Sequence, residues 1–265
     1  MRDRLIFAAQ LSFTLLVAAF LIVPAVLSML AGVTINYFQG IRSGLTLQWV
    51  MQVWELYADT VARSLIIALA ALAVTLIVGV PVAYALHVRG GRLSRVIEEI
   101  ITLPLAIPGL AIALALLLTY GGFGDFRRSW LFILAGHVVF TLPFMVRSVM
   151  AVFAAIDVKT LDESASSLGA SPWTRFRSVI VPNARPGILA GSLMVVTLSL
   201  GEFNLTWMLH TPLTKTLPVG LADSYASMRL EVASAYTLVF FVMIIPLLVA
   251  MQIFADSSAR QGARR

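Results

Sequence analysis

The chain has 265 residues, of which 60% are hydrophobic and only 12% are charged, and its mean hydropathy is +0.93. A soluble domain carries about 25% charged residues, so this composition excludes a water-soluble globular protein and indicates a polytopic membrane protein. The net charge of +6 therefore reports membrane topology rather than nucleic-acid binding. The lack of cysteine excludes disulfides, thiolate metal ligands and a cysteine nucleophile.

Six apolar segments are long enough to cross a bilayer, which takes roughly 20 residues in a helix. The first exceeds the roughly 7–15 apolar residues of a signal peptide, so we expect a retained anchor. In chain order the segments lie at about Ile6–Val33, Ser64–Val88, Val96–Tyr120, Trp130–Phe153, Gly187–Leu209 and Ala233–Phe254. The expected fold is all-α with six transmembrane helices, in one transmembrane domain over 1–265 with its core at 60–254.

Prolines inside these segments predict kinks that neighbouring helices can absorb. They are Pro24, Pro81, Pro104, Pro108, Pro143 and Pro246. With six spans, thirteen of the nineteen Lys and Arg residues fall on the side of the two termini. The positive-inside rule then places both termini in the cytoplasm, together with the loop at 154–186 between the fourth and fifth spans.

That loop contains the polar sequence TLDESASSLGASPWTRFRSVIVP. Thr160 and Glu163 have the spacing of a capping box at a helix start. Gly169 stands where a left-handed residue ends a helix, and Ser171–Pro172 is the start signal of another. Pro182 is expected to end this second helix. The pattern predicts two short helices joined at a glycine elbow.

Each predicted helix carries an apolar stripe. The stripes consist of Leu161, Ala165 and Leu168 on the first helix and of Trp173, Phe176 and Ile180 on the second. From the pattern alone two interpretations stay open. The helices lie on the membrane surface or cap the bundle, or they form a docking site for a cytoplasmic partner.

The same residues resemble the EAA loop of type I ABC importer permeases. The match comprises Glu163, Ser164, Ala165, Gly169, Val179, Val181 and Pro182, with Ser in place of the usual Ala and Val in place of the commoner Ile and Leu. The resemblance implies the type I permease fold, with a coupling helix at about 161–168 that docks onto an ATP-binding subunit. It implies ATPase-coupling roles for Glu163, Ser164, Ala165, Leu168, Gly169 and Pro182.

The resemblance also implies partners: two ATP-binding subunits, a second permease identical or similar to this one, and an external solute-binding protein. The chain would form half of a translocation pathway in the bacterial inner membrane. Neither Lys159 nor Lys215 completes the sequence G-x-x-x-x-G-K-[ST] that cradles phosphates. We therefore expect no enzyme activity, cofactor or metal on this chain, and ATP and Mg on the partner subunits.

One acid, Glu202, lies well inside an apolar run, where a charge costs roughly 2.5–3.5 kcal/mol. We expect Glu202, with Gly201 and Asn204, to line the translocation pathway. The alternative is a glutamate that pairs with a neighbouring helix or whose side chain reaches the outer interface. Among the other polar residues in the spans, Arg147 is expected to reach the inner interface and His137 to bond a neighbouring helix.

The resemblance extends to permeases for several substrates. The sequence after Glu202 looks most like spermidine and putrescine permeases, and one buried acid favours a cationic solute. Related permeases carry sulfate, molybdate and phosphonates, so an oxyanion or phosphonate is the alternative. A secondary transporter or channel is a further alternative, although six spans without an internal repeat are few for it. No catalytic constellation supports an intramembrane enzyme.

Overall fold

The computed structural model describes residues 2–262, and within this range it is helical apart from loops and one isolated bridge between Thr34 and Leu45. Twelve α-helices are described. They are α1 (Arg2–Ala31), α2 (Gln48–Arg89), α3 (Gly91–Thr102), α4 (Gly109–Tyr120), α5 (Gly124–Arg128), α6 (Trp130–Ala155), α7 (Val158–Ser167), α8 (Pro172–Arg175), α9 (Val181–Gly201), α10 (Asn204–Leu209), α11 (Leu217–Ala226) and α12 (Leu230–Gly262). Short 3₁₀ turns lie at Gly40–Ser43 and Leu103–Leu105, and a π-helical turn lies at Phe176–Ile180.

Five helical segments are long and apolar enough to cross a membrane, and a bent pair raises the count to six if it forms one crossing. The five comprise α1, α2, α6, the continuous helix Pro172–Gly201 and the apolar part of α12. The bent pair is α3 with α4. The all-α polytopic fold predicted from composition and hydropathy is confirmed.

The third predicted span is not one helix. The chain turns by 106° between the turn that follows α3 and the start of α4. Pro108 adopts φ −55° and ψ 138°, and Pro104 forms part of the 3₁₀ turn before it. Pro104 and Pro108 each lack an amide proton, so the helical hydrogen bonds end here and the helix breaks instead of bending. The other four predicted kink prolines lie inside helices, and the kink in α2 is at Tyr57 rather than at Pro81.

The fifth predicted span is shifted toward its N-terminus. Helical structure runs without interruption from Pro172 through the π-helical turn into α9, so Pro182 does not end a helix as predicted. The Val181 N–H donates to the Phe176 carbonyl, five residues back. This wider turn stands directly before the proline, whose missing N–H removes a helical bond in any case. The span then ends at Gly201 rather than Leu209.

The chain divides into two compact units. The first comprises the chain up to Ala58 with Gly220–Met243. In it α1 ends against α12, since a Cβ added at Gly32 would lie 2.6 Å from the backbone nitrogen of Ala235. Arg229 donates to the Tyr57 hydroxyl at 2.8 Å. The apolar part of α1 is not buried, so lipid or another subunit must cover it.

The second unit comprises Asp59–Val219 with the described chain from Ile244. Its main contact is the pair α6 and α9. Two glycines bring these helices together, because a Cβ added at Gly187 would lie 2.6 Å from the Ser148 carbonyl oxygen and one at Gly191 would lie 2.8 Å from the Met145 sulfur. Small residues at such contacts allow membrane helices to approach closely. The pair positions the two polar regions described next, one beyond each end of α9.

Candidate functional site

The first polar region is a helical hairpin formed by α7 and α8, which we call the polar hairpin (residues 157–175). Asp157 caps α7 in a left-handed conformation, with φ 41° and ψ 57°, and its carboxylate accepts hydrogen bonds from the Thr160 hydroxyl at 2.7 Å and backbone N–H at 3.4 Å. The predicted capping box is therefore wrong. Thr160 lies inside the helix because the chain already turns at Asp157, one turn earlier. Glu163 instead approaches Lys159 at 3.9 Å on the exposed surface.

The glycine elbow is confirmed. Gly169 adopts φ +81°, a conformation that favours glycine. The Gly169 N–H donates to the Ser166 carbonyl at 2.9 Å and the Ala170 N–H to the Ala165 carbonyl at 3.1 Å, which is the Schellman pattern at a helix end. The Ser171 hydroxyl then accepts from the Thr174 N–H at 3.2 Å, so the predicted start of the second helix is also confirmed.

A buried acid holds the two arms of the hairpin together. The Asp162 carboxylate accepts a hydrogen bond from Arg175 on α8 at 3.0 Å and another from the Tyr84 hydroxyl on α2 at 2.6 Å. The exposed fractions of the two charged side chains are only 8% for Asp162 and 18% for Arg175. Sequence reasoning missed this cluster, although an acid and an arginine on opposite sides of a glycine elbow were a usable signal.

The outer surface of the hairpin is exposed and partly apolar. Leu168 is 88% exposed and Trp173 is 67% exposed, on either side of the Gly169 elbow. Glu163 and Ser164 are exposed, whereas Ala165 is half-buried. Leu168 was assigned to the apolar stripe of the first helix, but it is the C-cap residue that follows α7, and it is exposed at the tip of the hairpin.

The second polar region lies at the interruption between α9 and α10. Glu202 is extended, with φ −71° and ψ 119°, and its carboxylate folds over the start of α10. One carboxylate oxygen accepts from the Leu205 N–H at 2.9 Å, and the other accepts from the Thr206 N–H at 2.9 Å and hydroxyl at 3.1 Å. These bonds satisfy backbone donors that a helix start leaves free. Glu202 is thus a helix cap.

A buried histidine extends this network into α6. The two ring nitrogens of His137 lie 2.7 Å from the Ser199 hydroxyl and 2.8 Å from the Thr206 hydroxyl. The predicted bond from His137 to a neighbouring helix is confirmed. Because Thr206 also contacts Glu202, one polar chain links α6, the last turn of α9 and the first turn of α10.

The two neighbours of Glu202 in the predicted pathway set are both exposed. A Cβ added at Gly201 would meet no atom within 4 Å, so this glycine does not serve close helix packing. It is the last residue of α9 and stands directly before the interruption at Glu202. Asn204 begins α10. Gly109, at the start of α4, faces the Glu202 carboxylate, since its added Cβ would lie 3.5 Å from Oε1.

The fold is that of ABC transporter permeases. It superposes with a TM-score of 0.69 on a chain of a bacterial alginate ABC transporter, solved with a pentasaccharide-bound periplasmic protein. The match covers 98% of this chain and 95% of that chain at 16% identity.

The chain belongs to the family described as binding-protein-dependent transport system inner membrane component, whose model matches residues 75–260. The molybdenum transport system permease protein ModB of Azotobacter vinelandii is 29% identical over 221 residues, covering 77% of this chain and 96% of ModB. The putative 2-aminoethylphosphonate transport system permease protein PhnV of Salmonella typhimurium is 28% identical over 250 residues, covering 93% of this chain and 92% of PhnV. The type I ABC permease predicted from the EAA loop is confirmed, and the chain is a multi-pass inner membrane component.

Proposed function

We propose that this chain is the permease subunit of an ATP-driven importer and that the polar hairpin couples it to ATP-binding subunits. The observation that carries this proposal is the hairpin itself. Its tip exposes Leu168 and Trp173, while the Asp162–Arg175 pair beneath fixes the tip to α2. Exposed anchors on a rigid base are what a protein-docking surface requires. Glu163, Ser164, Ala165, Gly169 and Pro182 belong to the same surface or to its connection with α9.

The rest of the machinery lies on partner proteins in this proposal. Two ATP-binding subunits bind ATP and Mg, a second permease completes the pathway, and an external binding protein delivers the solute. Both termini and the hairpin face the cytoplasm, as the distribution of Lys and Arg predicts. Membership of a binding-protein-dependent transport family supports the external partner.

The proposed substrate is a small oxyanion or phosphonate. Relatives are named for molybdenum and 2-aminoethylphosphonate transport. The polyamine-like solute expected from the sequence rested on the likeness of the segment after Glu202 to spermidine and putrescine permeases and on Glu202 as an acid in the membrane, but both carboxylate oxygens of Glu202 accept bonds from α10. Both carboxylate oxygens of Glu202 are therefore already engaged as acceptors by α10. Its proposed role in the pathway is to hold α10 and the exposed Gly201 and Asn204 in position.

The test is reconstitution of the chain with its proposed ATP-binding subunits and external binding protein. We expect ATP-dependent uptake of radiolabelled molybdate or 2-aminoethylphosphonate into proteoliposomes that contain the complex. Leu168→Asp should abolish uptake and release the ATP-binding subunits, because a charge replaces an apolar anchor. Leu213→Asp is the matched control, since Leu213 is 81% exposed but lies outside the hairpin. Uptake by the chain alone without ATP would contradict the proposal.

A further inference from the structure

The helix α3 is amphipathic and follows a sharp turn at the end of α2. Gly90 and Gly91 adopt φ values of 58° and 82°, a conformation that favours glycine and lets the chain leave the axis of α2 at once. The sequence of α3, GRLSRVIEEIIT, combines two arginines and two glutamates with five aliphatic residues. Unlike the five long apolar helices, α3 is not able to cross a membrane alone.

The side chains of α3 divide its circumference into three sectors, since successive residues lie 100° apart. One sector faces the protein, because Ser94 is buried and Ile101 packs against the core cluster that contains Val149 and Phe153 of α6. The second sector is exposed and apolar and consists of Leu93, Val96, Ile97 and Ile100. The third sector is exposed and charged and consists of Arg92, Arg95 and Glu99. Such a helix suits the edge of a bundle at a boundary between apolar and aqueous surroundings.

The end of the bundle that carries the polar hairpin is also where α3 lies. Ile101 packs with Phe153, which is close to the last residue of α6, and the Phe153 ring lies 5.7 Å from the His87 ring near the end of α2. By contrast, Ile112 of α4 belongs to a second cluster with Phe132, close to the first residue of α6. The chain therefore passes from one end of α6 toward the other after α3.

The orientation of α3 differs from that of a membrane span. Its axis, continued through the following 3₁₀ turn to Leu105, makes an angle of 106° with the axis of α4. The α4 sequence, GLAIALALLLTY, contains no charged residue, so α4 runs through the hydrocarbon toward the other end of α6. A helix nearly perpendicular to α4 lies along the membrane surface. Residues 103–120 then make the crossing between α2 and α6, and the number of crossings is unchanged.

The two arginines of α3 are not explained by neighbours in the protein. Within the described part of the chain, neither Arg92 nor Arg95 forms an ion pair or a hydrogen bond. Arg92 lies in the first turn of α3, where the helix dipole disfavours a cation. It is also only about 40° from Val96 around the helix, so it borders the apolar sector. A guanidinium at this border reaches the layer of lipid phosphates when the apolar sector contacts acyl chains.

From this arrangement we propose that α3 lies in the cytoplasmic membrane interface and binds anionic phospholipids. Leu93 and Ile100, with exposed fractions of 72% and 59%, contact acyl chains, and Arg92 and Arg95 bind lipid phosphates. The forked N–H groups of arginine match the oxygens of a phosphate. The choice of leaflet rests on the proposed function, which places the polar hairpin in the cytoplasm. The competing occupant of the apolar sector is a protein.

Spin labels on single cysteines test the position of α3. The chain has no cysteine, so each variant carries one reactive thiol. In vesicles of phosphatidylethanolamine and phosphatidylglycerol, we expect oxygen, which concentrates in lipid, to relax labels at Leu93→Cys and Ile100→Cys in the chain alone and in the complete transporter. A water-soluble nickel complex should relax the label at Glu99→Cys. Leu168→Cys in the chain alone is the matched control, because Leu168 is also an exposed leucine but lies in the polar hairpin, where the nickel complex should reach it.

A second measurement tests the arginines. Native mass spectrometry of the detergent-solubilised chain gives its affinity for phosphatidylglycerol relative to phosphatidylcholine. This preference should fall about tenfold in Arg92→Gln/Arg95→Gln, because two charges near the lipid phosphates are lost. Arg92→Lys/Arg95→Lys should retain most of the preference, since lysine keeps the charge. Arg42→Gln removes an exposed arginine outside α3 and should leave the preference unchanged.

Three results would overturn the proposal for α3. They are a label at Leu93→Cys that the nickel complex relaxes, a label there that is shielded from both reagents, and an unchanged lipid preference in Arg92→Gln/Arg95→Gln. The second result would place a protein against α3. None of these measurements uses ATP or a transported solute, so the proposed function would stand. Failure of the proposed function would instead appear as a complete transporter without ATP-dependent uptake.

Discussion

Glu202 stabilises a helix start inside the membrane with a charged group. Its carboxylate receives two backbone N–H groups and one hydroxyl of α10, so the charge is solvated by the protein instead of by water. In the sequence Glu202 is an acid in an apolar run, and this pattern does not distinguish a pathway residue from a helix cap. Only the break after Gly201 distinguishes the two, and hydropathy does not mark that break.

Removing this cap should destabilise the protein. Glu202→Ala frees two backbone donors and is expected to cost about 1–2 kcal/mol of unfolding free energy. Glu202→Gln keeps one acceptor oxygen and should cost less. Thermal unfolding of the detergent-solubilised protein measures both. Asn204→Ala, an exposed change at the first residue of the same helix, is the control and should leave the melting temperature unchanged. Equal melting temperatures for all three variants would contradict the capping role.

His137 should be more sensitive than Glu202 because it is fully buried and bonded at both nitrogens. His137→Ala leaves the buried Ser199 hydroxyl without its partner, leaves the Thr206 hydroxyl with Glu202 alone and opens a cavity, for an expected loss of about 2–4 kcal/mol. Ser199→Ala removes one of the two bonds and should cost about 1 kcal/mol. Unfolding in denaturant measures the difference. A larger loss in Ser199→Ala than in His137→Ala would contradict the bridging geometry.

Asp157 gives the hairpin a defined response to pH. Hydrogen bonds from the Thr160 hydroxyl and backbone N–H hold the pKa of Asp157 below its ordinary value. A carboxyl whose pKa is lower in the folded state stabilises the fold above its unfolded pKa, and this contribution is lost as the pH falls through the folded pKa. Thr160→Val should raise the pKa of Asp157, whereas Thr160→Ser should not. The chemical shift of the Asp157 carboxyl carbon in an NMR titration measures the pKa in both variants. An unchanged pKa in Thr160→Val would rule out the Thr160 hydroxyl as the cause.

At the scale of elements, the polar hairpin depends on one buried ion pair more than on its caps. Asp162→Ala leaves Arg175 buried without a partner, which is expected to cost about 3–5 kcal/mol. The adjacent Glu163→Ala is the matched control, because its pair with Lys159 is exposed and should be worth less than about 0.5 kcal/mol. Hydrogen exchange of α7 and α8 measures the local stability. Similar protection in both variants would contradict the central role of Asp162.

The sequence predicted the hairpin well where local chemistry decides it. Gly169 and Ser171 act within one turn of their own positions, and both predictions hold. Thr160 and Pro182 failed because the outcome depends on neighbours that a spacing rule does not include. Asp157 caps the helix one turn earlier than predicted, and the helix continues past Pro182 through the π-helical turn. The Asp162 cluster was missed because the spacing rules consider only near neighbours, whereas the partners of Asp162 lie 13 and 78 residues away.

At the scale of the whole molecule, hydropathy predicted the membrane class and the approximate place of the apolar segments. It could not predict where two of them break, since the prolines before α4 and the cap at Glu202 leave the apolar average unchanged. It also could not assign the glycines of α9. Gly187 and Gly191 are packing positions, whereas Gly201 is open, and only the approach of α6 separates them.

Replacing these glycines by alanine should destabilise the packing of α6 against α9 at Gly187 but not at Gly201. Gly187→Ala places a methyl group 2.6 Å from the Ser148 carbonyl oxygen, which forces the two helices apart. We expect a loss of about 1–3 kcal/mol, as for overpacking in other cores. Gly201→Ala meets no atom within 4 Å and should be tolerated. Melting temperatures of the two purified variants give the comparison, and a lower value for Gly201→Ala would contradict the packing described here.

The π-helical turn at Phe176–Ile180 makes the orientation of the polar hairpin sensitive to the number of residues in this part of the chain. A π turn holds one residue more than the α-helix it replaces, so it has the form of a single-codon insertion. Deleting that residue would restore ordinary helical winding and rotate everything before it by about 100° around the axis of α9. Leu168 and Trp173 would then face a different direction relative to α9. The orientation of the polar hairpin therefore depends on the number of residues between Pro172 and Pro182, and deleting one residue there would change it.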